Sequence, residues 1–173
     1  MKKIYWIVGT SCVGKQTFIT RLLRGRAKKI ISSLGWEDKK ISASQISITN
    51  IGQFKGDPST SKRDAILDEI TKLTDSEIIL IKWQFVDSEN NRPGKLRALL
   101  PEYEHEIIYI KSDKELNIKR LPLKSWWIDY GNEKPFCESE LVAIKKCLQQ
   151  FNIDGFKTAY TFESKQDGFE LVK

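Results

Sequence analysis

Apolar positions along this chain follow two rhythms. Nearly unbroken apolar runs occur at Ile4-Tyr5-Trp6-Ile7-Val8, over 78–85 with Lys82 and Gln84 as the interruptions, and over 106–110, and a mixed run covers 158–162. Short runs of this kind, bounded by turn residues, predict strands buried in a parallel sheet. Between them the spacing changes to three and four. Phe18, Ile19, Leu22 and Leu23 predict a helix over about 15–24, ended by Gly25. Ser61-Lys62-Arg63-Asp64 reads as a capping box opening a second helix with Ile66, Leu67, Ile70 and Leu73 on its apolar face. Ser112-Asp113-Lys114-Glu115 opens a third, which ends before Pro122, and Leu141, Ile144, Leu148 and Phe151 line a late helix. Weaker signals predict a short second strand at Ile30-Ile31, another over 45–51, a short helix ending near Leu100 and a small extra strand over 169–172. Residues 35–38, 52–61 (with Gly56-Asp57-Pro58) and 90–94 read as loops and turns, and 122–137 as a polar segment containing tryptophan. Strands alternating with helices imply an α/β fold, a parallel sheet covered on both faces, with ligands at the carboxyl ends of the strands. The loops after the first strand, Ile31, Phe85 and Ile110 then converge on one site. With 173 residues and no internal repeat, the chain 1–173 reads as one domain.

The first strand runs directly into Gly9-Thr10-Ser11-Cys12-Val13-Gly14-Lys15-Gln16-Thr17, and the first helix follows. Strand, glycine-bounded loop and helix in that order form a phosphate cradle, because backbone N–H groups and a helix N-terminus then point at one anion. Gly9 lets the chain turn tightly out of the strand, and Gly14 lets backbone approach phosphate without a Cβ. Lys15 supplies a mobile charge for the β- and γ-phosphates. The pattern G-x-x-x-x-G-K normally continues with a hydroxyl residue that holds Mg²⁺; here Gln16 follows, and the hydroxyl comes one place later at Thr17. Residues 9–17 are thus the nucleotide-binding candidates, ATP is the expected donor, and Thr17 with Asp87 are the candidate Mg²⁺ ligands. The alternative is a glycine-rich strand–helix turn carrying a surface lysine.

The late hydroxyl resembles the nucleotide-kinase branch of P-loop proteins. Adenylate kinases read G-x-x-G-x-G-K-G-T and guanylate kinases G-P-S-G-V-G-K-x-T. The chain matches the second pattern at Gly9, Ser11, Val13, Gly14, Lys15 and Thr17, and departs from it at Thr10 and at Cys12, where that family has glycine. The resemblance implies a three-layer P-loop NTPase fold of the nucleoside-monophosphate-kinase type, with a short lid at about 122–137. The stretch from Ile107 through Asp113 to Lys119-Arg120-Leu121 looks like the passage from strand to lid helix in that group, where an arginine at the helix end reaches the phosphates. Arg120 is the candidate by that match; the alternative is an exposed helix arginine. Lys82 follows Ile78-Ile79-Leu80-Ile81 where a GTPase or motor ATPase would place Asp, and N-K-x-D is absent. Both features argue against a GTPase switch and an AAA-type machine. Small kinases that act on hydroxyls, the gluconate kinases among them, often show lysine there and take the proton with a carboxylate from the loop after strand 2 or the next one. An alcohol acceptor benefits from one carboxylate within hydrogen-bond reach. Asp38, Asp57 and Glu37 are the candidates, in the order Asp38 then Asp57; each could equally cap turn N–H groups. Arg92, Lys95 and Arg97 would clamp an acceptor phosphate or decorate a solvated helix.

Charge sharpens this picture. The net charge is +6, yet residues 1–36 hold eight Lys/Arg and no Asp/Glu, leaving 21 basic against 23 acidic residues in the remainder. The positive excess therefore belongs to the phosphate-loop unit, which would attract a polyanion such as nucleic acid or simply neutralise a bound triphosphate. Trp6 and Trp83 fall in strands, whereas Trp126-Trp127 lie in the polar segment and are the candidates for stacking on bases. Cys12, Cys137 and Cys147, odd in number and without C-x-x-C spacing, read as reduced intracellular thiols. One histidine, His105, leaves no zinc cluster and no Ser/His/Asp arrangement. No apolar run approaches the ~20 residues of a membrane span. The run after Met1-Lys2-Lys3 is too short for a signal peptide. A cytoplasmic protein is expected, in the host cytoplasm if viral. The expected function is an ATP- and Mg²⁺-dependent kinase acting on a nucleotide or nucleic-acid acceptor. A hydroxyl on DNA or on a modified pyrimidine such as hydroxymethyluracil is preferred, as in small phage kinases that modify DNA. The alternatives are a free (deoxy)nucleoside monophosphate kinase using Arg63, Arg92 or Arg97, a gluconate-kinase-like enzyme, and a nucleotide-binding module without turnover.

Overall fold

The structure is a computed structural model that describes residues 2–43, 68, 70, 72–73, 75–83, 97–98 and 100–173. Its strands are β1 (Lys3–Val8), β2 (Ile41–Ala43), β3 (Ile78–Trp83), β4 (Glu104–Lys111), β5 (Lys157–Ser164) and β6 (Phe169–Leu171). They form one sheet in the order β2-β3-β1-β4-β5-β6, parallel except for the β5–β6 hairpin. The helices are α1 (Lys15–Leu23), α2 (Lys28–Leu34), α3 (Lys114–Arg120), continued by a 3₁₀ turn at Leu121–Leu123, and α4 (Glu133–Ile153). No helix among the described residues is long and apolar enough to cross a membrane.

β1 is the centre of the molecule, and its period-two alternation feeds two cores. Ile4, Trp6 and Val8 face α4, where they meet Ile79, Ile81, Trp83, Ile144 and Phe151. Tyr5 and Ile7 face the opposite way, onto Leu80, Phe18, Ile19, Leu22 and Trp36. The three-layer arrangement expected from the sequence is thus present. His105 belongs to this core: the Trp6 indole N–H donates to its Nδ1 (3.2 Å), and its Nε2 donates to the Leu100 carbonyl (2.9 Å). Register aligns Lys3 with Ile78 and Glu104, so the carboxyl ends of β1, β3 and β4 lie together at Val8, Trp83 and Tyr109.

Two sequence expectations are corrected. Ile30-Ile31 are not a strand but part of α2. The Ile31 N–H bonds to the Ala27 carbonyl (2.9 Å), and Gly35, at φ 69°, ends the helix by bonding back to Ile31 and Ser32. Packing of Ile30, Ile31 and Leu34 on the α1 side of the sheet overrides their β propensity. The second strand is β2, which pairs with β3. The late helix starts earlier than its apolar spacing implies. The Glu133 carboxylate, in the first turn of α4, accepts from the Trp127 indole (3.0 Å) and the Gly131 N–H (3.0 Å), so the polar stretch after α3 covers 121–132 rather than 122–137. The strand expected at 45–51, the loop at 52–61 and the capping box at Ser61 lie outside the described residues, and Asp68 and Ile70 of the helix expected there are helical.

Phe151 anchors α4. It is fully buried, with edge-on contacts to Trp83 (5.8 Å) and Phe156 (5.0 Å). Phe151→Ala is expected to lower stability by about 3–5 kcal/mol in urea melts; a loss under about 1 kcal/mol would show that α4 does not depend on this contact.

Candidate active site

The turn out of β1 is built around Gly9. A Cβ on Gly9 would lie 2.5 Å from the Ile110 carbonyl oxygen and 2.7 Å from Val13 Cγ2, so no side chain fits. At the other end Gly14 takes φ 85°, a left-handed conformation that glycine adopts without strain, and directly precedes α1. The unpaired N–H groups of the first turn of α1 therefore point into the loop.

Lys15 is buried, and its Nζ donates to the Gly9 (2.7 Å) and Thr10 (2.8 Å) carbonyls. Burial pulls its pKa down to about 7, nearby Lys82 pulls in the same direction, and the Glu140 carboxylate opposes them. Glu140 arrives from the buried face of α4. It accepts from the Ser11 N–H (3.1 Å) and from the Ser11 hydroxyl. From α3, Asn117 donates to Thr10 Oγ1 (3.2 Å), and its own Oδ1 accepts from the Ser112 hydroxyl. One turn later Arg120 donates to the Cys12 carbonyl (3.0 Å), to Ser164 Oγ (2.7 Å) and to the Lys165 carbonyl (2.6 Å). Asp113 caps α3 through the Leu116 N–H (2.7 Å) and so fixes where Asn117 and Arg120 point. Cys12 buries its side chain against Leu121, Trp127 and Cys137, a pocket that accounts for its tolerance where guanylate kinases carry glycine. Burial also pushes its thiol pKa up.

Beside the loop opens a cleft of about 290 Å³, walled by Gly14, Thr17, Arg21, Arg120, Lys124 and Phe169. Thr17 is exposed there. Its hydroxyl would offer one oxygen to a Mg²⁺ ion that arrived with a phosphate chain. Among the described residues no cluster of three or more His, Cys, Asp or Glu side chains could hold a metal by itself. Gln16 turns along α1 toward Thr20 (3.5 Å).

The structure brings together residues 9–17 and Arg120. It separates Asp38 and Glu37 from them. Both lie before β2, in an exposed turn at the amino ends of the strands, where the Lys40 carbonyl accepts from Glu77 and Ile78. The length of β1, six residues or roughly 20 Å, stands between that edge and the phosphate loop. Asp38 is therefore not an acceptor-side base. The expectation depended on reading Ile30-Ile31 as strand 2. Arg97 is likewise at the far edge, packed over the Phe156 ring (5.2 Å) just before β5, and cannot clamp a phosphate at the loop. Trp126 and Trp127, the candidates for stacking on bases, meet edge to face with centroids 6.3 Å apart and differ in exposure. Trp127 is buried against Phe136, while Trp126 is 51% exposed. Asp57, Arg63, Asp87, Arg92 and Lys95 lie outside the described residues.

Asn117, Lys124, Glu140 and Ser164 were not singled out from the sequence. For Glu140 a signal exists: with Cys137, Ile144 and Phe151 it falls on the buried face of α4, and a carboxylate on such a face requires a polar partner.

Three solved structures show the same fold. Shikimate kinase from Bacteroides thetaiotaomicron superposes with a TM-score of 0.51 at 9% identity, over 94% of this chain and 86% of that one. YorR from Bacillus subtilis, in complex with phosphorylated GDP, gives 0.51 at 15% identity, over 95% and 87%. A gluconokinase from Sinorhizobium meliloti gives 0.50 at 12% identity, over 95% and 83%. The fold is that of the small P-loop kinases. No protein-family profile matches the sequence, and no curated protein matches it.

Lys15 generates a prediction about pH. Its pKa, pulled down to about 7 by burial, rises when a phosphate chain lies beside it, because the anion favours the ammonium form. Binding then takes up a proton at alkaline pH. Triphosphate affinity is expected to fall as pH rises above about 7, by up to about tenfold per unit. Calorimetry near pH 8 in two buffers of different ionisation enthalpy measures the uptake, and Lys15→Gln should abolish it. Binding without proton exchange in the wild type would contradict the depressed pKa.

Proposed function

We propose that this protein is an ATP-dependent phosphotransferase that moves the γ-phosphate to a hydroxyl of a nucleotide or nucleic acid, with a hydroxyl on DNA or on a modified pyrimidine such as hydroxymethyluracil preferred. The observation that carries the reading is the convergence of Lys15 and Arg120 on a glycine-bounded loop at a helix N-terminus.

In this reading the nucleoside lies in the cleft between Thr17 and Lys124, and the phosphates lie under the N–H groups of residues 13–17. Lys15 exchanges its two carbonyl partners for β- and γ-phosphate oxygens. Arg120, already at the loop, neutralises charge that develops on the transferring group. Mg²⁺ neutralises the phosphate oxygens when bound, and Thr17, with Asp87 as the second candidate, would hold it. With Asp38 removed, Asp57 is the candidate for orienting the acceptor hydroxyl. Residues 1–173 act as one kinase domain with a short lid after α3, working in the cytoplasm (of the host, if the chain is viral).

A basic groove supports an anionic acceptor. Arg21, Arg26, Lys28 and Lys29 line a cavity of about 630 Å³ whose floor includes Phe162 and Phe169. Arg21 and Phe169 also border the cleft, so groove and cleft are neighbours. That YorR was solved in complex with phosphorylated GDP supports a nucleotide as a ligand of this fold. The likeness to shikimate kinase and gluconokinase favours the second reading, a small-metabolite hydroxyl.

Incubation with γ-labelled ATP and nucleosides, nucleotides, sugars, plain DNA or hydroxymethyluracil-containing DNA is expected to label the DNA or nucleotide pool. Lys15→Ala and Arg120→Ala should each lower the rate at least roughly 10²-fold with the fold retained. Absence of transfer with ATP binding intact would reduce the protein to a nucleotide-binding module. For a DNA acceptor, affinity should fall steeply with salt, and Arg26→Glu with Lys29→Glu should flatten the slope by roughly one unit or more; a salt-independent KM would identify a small acceptor.

A further inference from the structure

We propose that Glu140 is an internal stand-in for the terminal phosphate, and that it sets the preference of the donor site between nucleoside triphosphate and diphosphate. This rests on the donor reading of the loop given above. The cleft opens at the Gly14 and Thr17 end of the loop, where Arg120 and Lys124 leave room for the nucleoside. A phosphate chain entering there runs toward the loop's first half. Lys15 reaches that half, since its Nζ sits on the Gly9 and Thr10 carbonyls. Ser11 follows Thr10, so its N–H and hydroxyl are donors for the outermost phosphate.

Those two donors are already taken. The Glu140 carboxylate accepts both, is buried, and is the leading electrostatic influence on Lys15 after burial itself. An ionised acceptor bonded to an N–H and an O–H inside a phosphate-binding loop is chemically what a phosphate oxygen would be there. A diphosphate, whose β-phosphate rests under the amides at the helix N-terminus, leaves this arrangement in place. A triphosphate brings another anion to the same donors and must displace the carboxylate or suffer its repulsion. Glu140 thereby narrows the advantage of the triphosphate over the diphosphate, and it returns to Ser11 when the outermost phosphate leaves.

Glu140→Gln removes the charge while keeping an oxygen that can accept from the Ser11 N–H. Calorimetric titration with a non-hydrolysable triphosphate analogue, ADP and AMP is the test. The expected result is a roughly tenfold gain in affinity for the triphosphate, with ADP and AMP changed less than about twofold. Equal gains for triphosphate and diphosphate, no change in either, or weaker triphosphate binding would each overturn the assignment while leaving the donor reading intact. If neither protein binds any nucleotide, the donor reading falls and this inference falls with it. A measurement on the wild type covers the case of a variant that does not fold: the ¹³C carboxyl resonance of Glu140 should shift with the triphosphate analogue and stay fixed with ADP, and identical shifts with both would overturn the assignment.

Discussion

The contact between Gly9 and the Ile110 carbonyl is the constraint on which the site depends. β1 and β4 run side by side, and the chain leaving β1 passes so close to β4 that a single Cβ would collide with its backbone. That closeness bends the chain sharply and folds the loop over the strand ends. The same bend brings Lys15, six residues later, back onto the Gly9 carbonyl. It also explains why the cradle needs a buried central strand: only neighbours held at both edges of β1 keep the Ile110 carbonyl where it is.

The loop is held from outside as much as from within. Asn117, Arg120 and Glu140 bond to Thr10, Cys12 and Ser11, three successive residues. Two of these tethers come from α3 and one from α4, so the helices that follow β4 act together as a frame for the turn that follows β1. Arg120 also bonds to Ser164 and Lys165, which joins the end of β5 to the same frame. Lys15 and Glu140 are both buried beside this loop, and each is held by hydrogen bonds to it.

Much of this was legible in the residues. The apolar runs at β1, β3, β4 and β5, the spacing of α1 and the second half of α4 appear where the pattern puts them, because burial on both faces or on one stripe leaves a periodic trace. The turn between β1 and α1 was legible because its glycines answer to local geometry. What failed was local too short to be periodic: two isoleucines between lysines and serines fit a strand or a helix equally, and the packing of α2 decided. That single error moved Asp38 to the wrong edge of the sheet. Asn117 and Glu140 were invisible for the opposite reason. Their partners lie more than 100 residues away, and no spacing rule encodes a contact that only the folded chain creates.

α4 joins two regions that differ in chemistry. Phe151 is embedded in the apolar layer beside Trp83, while Glu140 reaches the phosphate loop from the same rod, roughly 16 Å of helix away. A helix is stiff along its axis, so it behaves as a strut with one foot in the hydrocarbon interior and the other on a charged turn. The fit of aromatic rings in the interior therefore sets the tolerance to which the glycine-bounded loop is positioned, and the oil-like and salt-like halves of the molecule share a single mechanical datum.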